Sequence, residues 1–226
     1  MLLLALDTAT PAVTVALHDG TRVVAQSTAH DPRRHSELLA PGIAAVLAEA
    51  GADRRDLTDV AVGTGPGPFT GLRVGLVTAR TLALALGLRL HGVCTLDVLA
   101  RDALDALDAL DANTVGWADG FVVATDARRR EVYWAGYDLT GERVEGPAVA
   151  RPADVQRDGR PVVGRGAQLY ADLLGDAVGP LDPSGAALAR LVVAGLDAGA
   201  VFDQLEPRYL RRPDVMEPVA RKRVGT

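Results

Sequence analysis

The stretches with residue types and spacing suited to chemistry each carry an inert reading as well. Asp7-Thr8-Ala9-Thr10-Pro11 ends a short apolar run. Its carboxylate could hold a hydrated magnesium ion, and Thr8 or Thr10 could hydrogen-bond a phosphate. Asp and Thr equally satisfy turn amides wherever a strand ends. Asp126-Ala127-Arg128-Arg129-Arg130 has charge but lacks the small residues that let a backbone close on a phosphate, so it reads as a solvated turn. Gly164-Arg165-Gly166-Ala167 either opens against an adenine or begins a helix. Gly65-Pro66-Gly67 has neither the Gly-Lys-Ser/Thr ending of a P-loop nor the spacing of a dinucleotide fingerprint.

Covalent and metal chemistry are poorly provided for. Ser27, Ser36 and Ser184 lack a nucleophile-elbow context. His18, His30, His35 and His91 include no pair at helical ligand spacing, and His35 reads as a capping or surface group. Cys94 is the only cysteine, which excludes a disulfide framework and a thiolate cage and leaves a small packing residue. A net charge of -5 argues against a general nucleic-acid coat. The basic cluster Arg208, Arg211, Arg212, Arg221, Lys222 and Arg223 reads as a solvated tail, with an RNA contact the alternative.

The elements that must position these groups follow from periodicity. Strands are predicted over 2–7, 12–18 and 21–28, with Asp19-Gly20 as a two-residue hairpin. An amphipathic helix over 36–50 places Leu39, Ile43, Val46, Leu47 and Ala50 on one face, with Pro41 in its second turn. Strands over 59–63 and 89–93 flank a second helix, and a third helix begins at Thr95. The run Asp102, Asp105, Asp108, Asp111 puts acids where the helix dipole disfavours them, so fraying over 108–114 and a lobe boundary are expected. The second half reads as strands over 120–126, 131–139 and 143–150, a short helical segment over 152–157, a strand over 161–163, and helices from Ala167 and over 184–198. Three strands, helix, strand, helix thus occur twice. The reading is a two-lobed α/β protein of duplicated βββαβα units: lobe one 1–110, lobe two 111–212, tail 213–226. MLLLALD at the start has no basic region and reads as a strand and not a signal peptide, implying a cytoplasmic protein.

The second helix departs from the usual pattern. It runs from Thr70, predicted as its cap, to Gly87, predicted as its stop. Gly71, Gly75, Ala79, Ala83 and Gly87 form a ridge of small residues. Around it, Leu72, Val74, Leu76, Val77, Leu82, Leu84 and Leu86 point in nearly every direction, with Arg73 and Arg80 as the only charges. Such a helix lies between two layers of its own domain, or its second face is covered by another subunit. Two arginines argue against a membrane span.

Four motifs together resemble the TsaB, or YeaZ, family: Asp7-Thr8-Ala9-Thr10; Gly65-Pro66-Gly67-Pro68-Phe69-Thr70-Gly71-Leu72-Arg73-Val74-Gly75; Asp126-Ala127-Arg128 with Glu131-Val132-Tyr133-Trp134; and Pro207-Arg208-Tyr209-Leu210-Arg211. The resemblance implies the actin, Hsp70 and sugar-kinase (RNase H-like) fold. It implies a noncatalytic partner of TsaD in forming threonylcarbamoyladenosine beside the tRNA anticodon, with TsaC supplying the adenylate and TsaE as an associated ATPase. TsaD-like relatives carry a metal-binding histidine pair where this chain has Thr95 and Leu99, so the transferase centre is expected to be missing. The implied partner interface lies on the first two helices, at Leu39, Ile43, Val46, Leu47, Leu72, Gly75, Leu76, Ala79 and Ala83, where a charge such as Leu76→Glu or Ala79→Arg would break pairing. It engages TsaD, or a second copy as a homodimer when TsaD is absent. No intrinsic cofactor is implied. ATP or ADP with magnesium enters through the assembled complex, and Asp7, Thr8 and Thr10 are the nucleotide candidates. Contact with tRNA is indirect. An M22-like metallopeptidase and an independent ATP-dependent kinase or ATPase are the alternative readings.

Overall fold

A computed structural model of the chain describes residues 1–109, 117–202 and 205–211. The first half comprises β1 (Leu3–Asp7), β2 (Ala12–His18), β3 (Val23–His30), α1 (His35–Glu49), β4 (Asp59–Gly63), α2 (Phe69–Leu86), β5 (Arg89–Val93) and α3 (Thr95–Ala109). The second comprises β6 (Phe121–Asp126), β7 (Val132–Tyr137), β8 (Arg143–Ala150), β9 (Val162–Val163), α4 (Arg165–Leu169), α5 (Ala171–Leu174) and α6 (Gly185–Asp197). The sheet orders are β3-β2-β1-β4-β5 and β8-β7-β6-β9. In each sheet the first strand of the half pairs antiparallel with its hairpin partner and parallel with the strand after the crossover. A parallel bridge from Val162 to Ala177 stands where β5 stands in the first sheet. This is the expected duplicated α/β architecture of the RNase H-like, two-lobed class.

The middle strands of the first sheet are apolar on both faces, as a sheet covered twice requires. On one face Leu4, Leu6, Val13, Val15, Val60 and Val62 meet Leu39 and Val46 of α1 and Leu72 and Leu76 of α2. On the other, Leu3, Ala5 and Ala61 meet Ala187, Leu188 and Val192 of α6. Conversely, Leu96, Leu99, Ala100 and Ala103 of α3 pack on Phe121, Val123, Ala135 and Tyr137 of the second sheet. The halves have exchanged their last helices. Helix α6, from the second half, thus covers the first sheet, and α3, from the first half, covers the second. The tail 213–226, Arg212, and the part of the expected fraying segment beyond Ala109 lie outside the described residues.

The aspartates of α3 have partners that a helix-by-helix reading overlooks. Asp102 accepts from the backbone N and Oγ of Ser184, both at 2.6 Å, and Asp105 accepts from Arg190 Nε at 2.8 Å. Ser184 Oγ in turn accepts from Ala187 N as the cap of α6. The acids disfavoured by the dipole of α3 are thus used to hold α6. Two local expectations change as well. The first hairpin is a four-residue turn in which the Asp19 carboxylate accepts from the amides of Thr21 and Arg22, so the Asp19-Gly20 pair does not close it alone. Helix α2 starts at Phe69, with Pro68 at the cap position and no capping bond from Thr70. Its end is as expected, with Gly87 left-handed and its amide on Ala83 O.

Candidate functional site

The tip of β1 is wired inward. The Asp7 side chain is 1% exposed. Its Oδ1 accepts from Ala9 N at 2.7 Å and its Oδ2 from Thr95 Oγ1 at 2.8 Å. Thr95 Oγ1 itself accepts from Gly65 N at 3.1 Å, so one short chain of bonds joins the β1 tip, the glycine turn and the start of α3. Thr8 Oγ1 donates to Gly71 O at 2.8 Å and accepts from Gly75 N at 2.9 Å, tying the same tip to the first turns of α2. Thr10 Oγ1 accepts from Ala12 N, and Thr10 O faces His35 Nε2 at 2.8 Å. Burial raises the Asp7 carboxyl to about 6 against the opposing pull of its hydrogen bonds from Ala9 and Thr95.

This explains the small-residue ridge. A Cβ on Gly71 would come within 2.6 Å of Thr8 O, and one on Gly75 within 2.6 Å of Thr8 Oγ1. The close approach the ridge permits is to the chain's own first strand. Asp7, Thr8 and Thr10 do lie together at the interlobe cleft, where Thr8 and Thr10 line a pocket of about 250 Å³ with Arg33 and Arg128. The Asp7 and Thr8 side chains are engaged in internal bonds, so the residues present do not fit a hydrated magnesium ion or a phosphate clamp at this tip. Among the described residues, no three of His, Cys, Asp and Glu group as metal ligands.

The opposite face of α2 has different character. Phe69 is 42%, Val77 62% and Leu84 89% exposed, and the outward residues of α1 beside it include Ala40, Ala44 and Ala48. Between the helices runs a groove of about 640 Å³, lined by Ala40, Val74, Val77 and Thr78 together with Phe69 and Arg73. Residues 205–211 border α2. Arg80 Nη2 donates to Leu205 O, Arg208 N donates to Thr64 O, and Tyr209 OH accepts from Arg73 Nε at 3.0 Å. Arg211 then reaches the other lobe, donating to Ala127 O at 3.1 Å and pairing with Glu131 at 3.2 Å.

The predicted partner residues therefore need correction. Leu39, Val46, Leu72, Gly75, Leu76 and Ala79 are buried against the first sheet, while Ile43, Leu47 and Ala83 are half-buried beside the same core. A charge at Leu76 or Ala79 disrupts that core before it can report on any partner. The exposed apolar set is Phe69, Val77 and Leu84, and period alone could not separate it from the buried one. Also absent from the sequence reading was the left-handed backbone of Arg128, Arg129 and Arg130, with φ of 63°, 53° and 63°. Arg73 and Arg80, seven apart, were a signal of their own: both hold residues 205–211.

Comparisons with known proteins agree on one relationship. The TsaD family profile, described as tRNA N6-adenosine threonylcarbamoyltransferase, matches residues 22–217. An uncharacterised protein of Mycobacterium tuberculosis H37Rv is 43% identical over 96% of this chain and 94% of its own length. The tRNA threonylcarbamoyladenosine biosynthesis protein TsaB of Escherichia coli K12 is 38% identical over 76% of this chain and 75% of its own. The crystal structure of YeaZ from Pseudomonas aeruginosa superposes with a TM-score of 0.73 at 30% identity, covering 92% of this chain and all of that one.

Proposed function

Because the chain belongs to the TsaB (YeaZ) branch of the TsaD family, we propose that it acts in tRNA threonylcarbamoyladenosine biosynthesis as a noncatalytic subunit. It binds and activates a TsaD-type transferase in the cytoplasm. The observation that carries this reading is the outward apolar face of α1 and α2: Phe69, Val77 and Leu84 stay exposed on a helix whose opposite side is already buried in its own core. A face of that kind is stable in water as one side of an interface. The inward wiring of Asp7, Thr8 and Thr95 supports the noncatalytic part, since these groups hold the fold together and present little to a substrate. Helix α2 is long and apolar enough by composition to cross a membrane, but five of its residues are buried against the sheet, which favours a protein partner. A TsaD subunit is the proposed occupant, with TsaE joining the assembly, a second copy occupying the face when TsaD is absent, and tRNA touched indirectly. ATP or ADP with magnesium then belongs to the assembly as a whole.

Reconstituting tRNA modification from TsaC, TsaD and TsaE, with and without this chain, tests the proposal. Modification should require the chain and should fail with Val77→Glu, whose charge lands on the exposed face without disturbing the core. Modification that proceeds equally well without the chain would sink the proposal.

A further inference from the structure

Arg73 is the one charged residue lining the α1–α2 groove among the described residues. Its guanidinium carbon lies 3.4 Å from the centre of the Phe69 ring, and its Nε donates to Tyr209 OH at 3.0 Å. The Tyr209 and Phe69 rings are themselves 4.8 Å apart. The stacking fixes the guanidinium against the Phe69 ring and the tyrosine engages its Nε, while its Nη atoms donate to no other described residue. No carboxylate among the described residues pairs with it. Helix α2 contains no acidic residue at all, and Glu37 at the start of α1 is taken by Arg34. A partner that covers the groove strips water from this cation, and a charge buried without a partner is costly.

We infer that Arg73, fixed by Phe69 and Tyr209, is a carboxylate receptor in the lining of the groove, and that it selects a partner helix bearing an acidic side chain. This rests on the docking role proposed above for the α1–α2 face. It also orders the occupants. The α2 of a second copy brings arginines and no acid, so where α2 faces the receptor a different, acidic-faced chain fits better than self-pairing of the two α2 helices. Residues 205–211 become part of the surface, because Tyr209 orients the receptor and Arg211 anchors that segment to the second lobe.

Titration calorimetry of the full-length chain against its purified TsaD-type partner, from about 50 to 500 mM salt, tests this. Arg73→Ala should weaken binding roughly 10- to 100-fold and flatten its salt dependence. Arg73→Lys should recover only part of the loss, since an ammonium lacks the planar fork. Tyr209→Phe should cost a few-fold in affinity with the fold intact by circular dichroism. Unchanged affinity and salt slope in Arg73→Ala, with Val77→Glu abolishing binding, would overturn the receptor and leave the docking face standing. Normal binding by Val77→Glu would remove the face itself. Self-association lost in Arg73→Ala while partner binding persists would overturn the inference in favour of a second copy.

Discussion

Burial and hydrogen bonding pull the Asp7 carboxyl in opposite directions, and burial is the larger effect, leaving it near 6. The sign of the consequence is definite. A carboxyl that holds its proton more tightly folded than unfolded favours the fold most below pH 3.8, and that advantage is lost as pH rises through about 6. Asn at this position carries no charge at any pH. Its oxygen can accept from Ala9 N and its amide can donate to Thr95 Oγ1, replacing the two observed bonds. The stability of the wild type relative to Asp7→Asn should therefore drop by about 2 kcal/mol between pH 4.5 and 7.5. Urea unfolding of both proteins at the two pH values measures it, and taking the difference cancels every other titrating group. An equal gap at both pH values would mean that Asp7 is not the buried, raised carboxyl described. What the sequence showed at this scale was the cluster Asp7, Thr8 and Thr10. It could not show that their hydrogen-bonding capacity is used on the backbone of α2 and on Thr95, residues some 60 to 90 positions away.

Helix α2 is where element-level reasoning was both most informative and most incomplete. Its excess of apolar residues, its small-residue ridge and its left-handed glycine stop are legible in the sequence, as are the exact limits of β2, β4, β5 and β8. Which face turns inward is not legible, because a helix apolar nearly all round has no stripe to read. The decision is made by Thr8, whose hydroxyl fits only against Gly71 and Gly75. Gly75→Ala tests that directly. In an ordinary helix interior alanine is about 1 kcal/mol better than glycine. Here its Cβ would sit 2.6 Å from Thr8 Oγ1 and break both of that hydroxyl's bonds, so a net destabilisation of about 2 kcal/mol is expected from denaturation midpoints. Val77→Glu, exposed on the other side, should leave stability within about 0.5 kcal/mol. A stabilising Gly75→Ala would place the ridge on the outside after all.

At the scale of the whole molecule, the exchange of α3 and α6 makes each sheet depend on the other half of the chain. The pattern of three strands, helix, strand, helix was readable twice over, but its last helix in each half carries no label saying which sheet it covers. The aspartates of α3 held that information only jointly with Ser184 and Arg190, about 80 residues later. Leu188 of α6 is fully buried on the first sheet, and Leu99 of α3 on the second. Truncating either to alanine removes about 2–5 kcal/mol of core packing. Native-state hydrogen exchange should then show a crossed pattern. Leu188→Ala should lower protection first in β1 and β4, which precede it by more than a hundred residues, and Leu99→Ala should do so in β6 and β7. Lobes built from contiguous segments would give the reverse assignment, each substitution loosening the sheet of its own half. Equal loss everywhere would mean that the two sheets open only together. That result would make the α3–α6 contact through Asp102 and Asp105 the element that sets the stability of both.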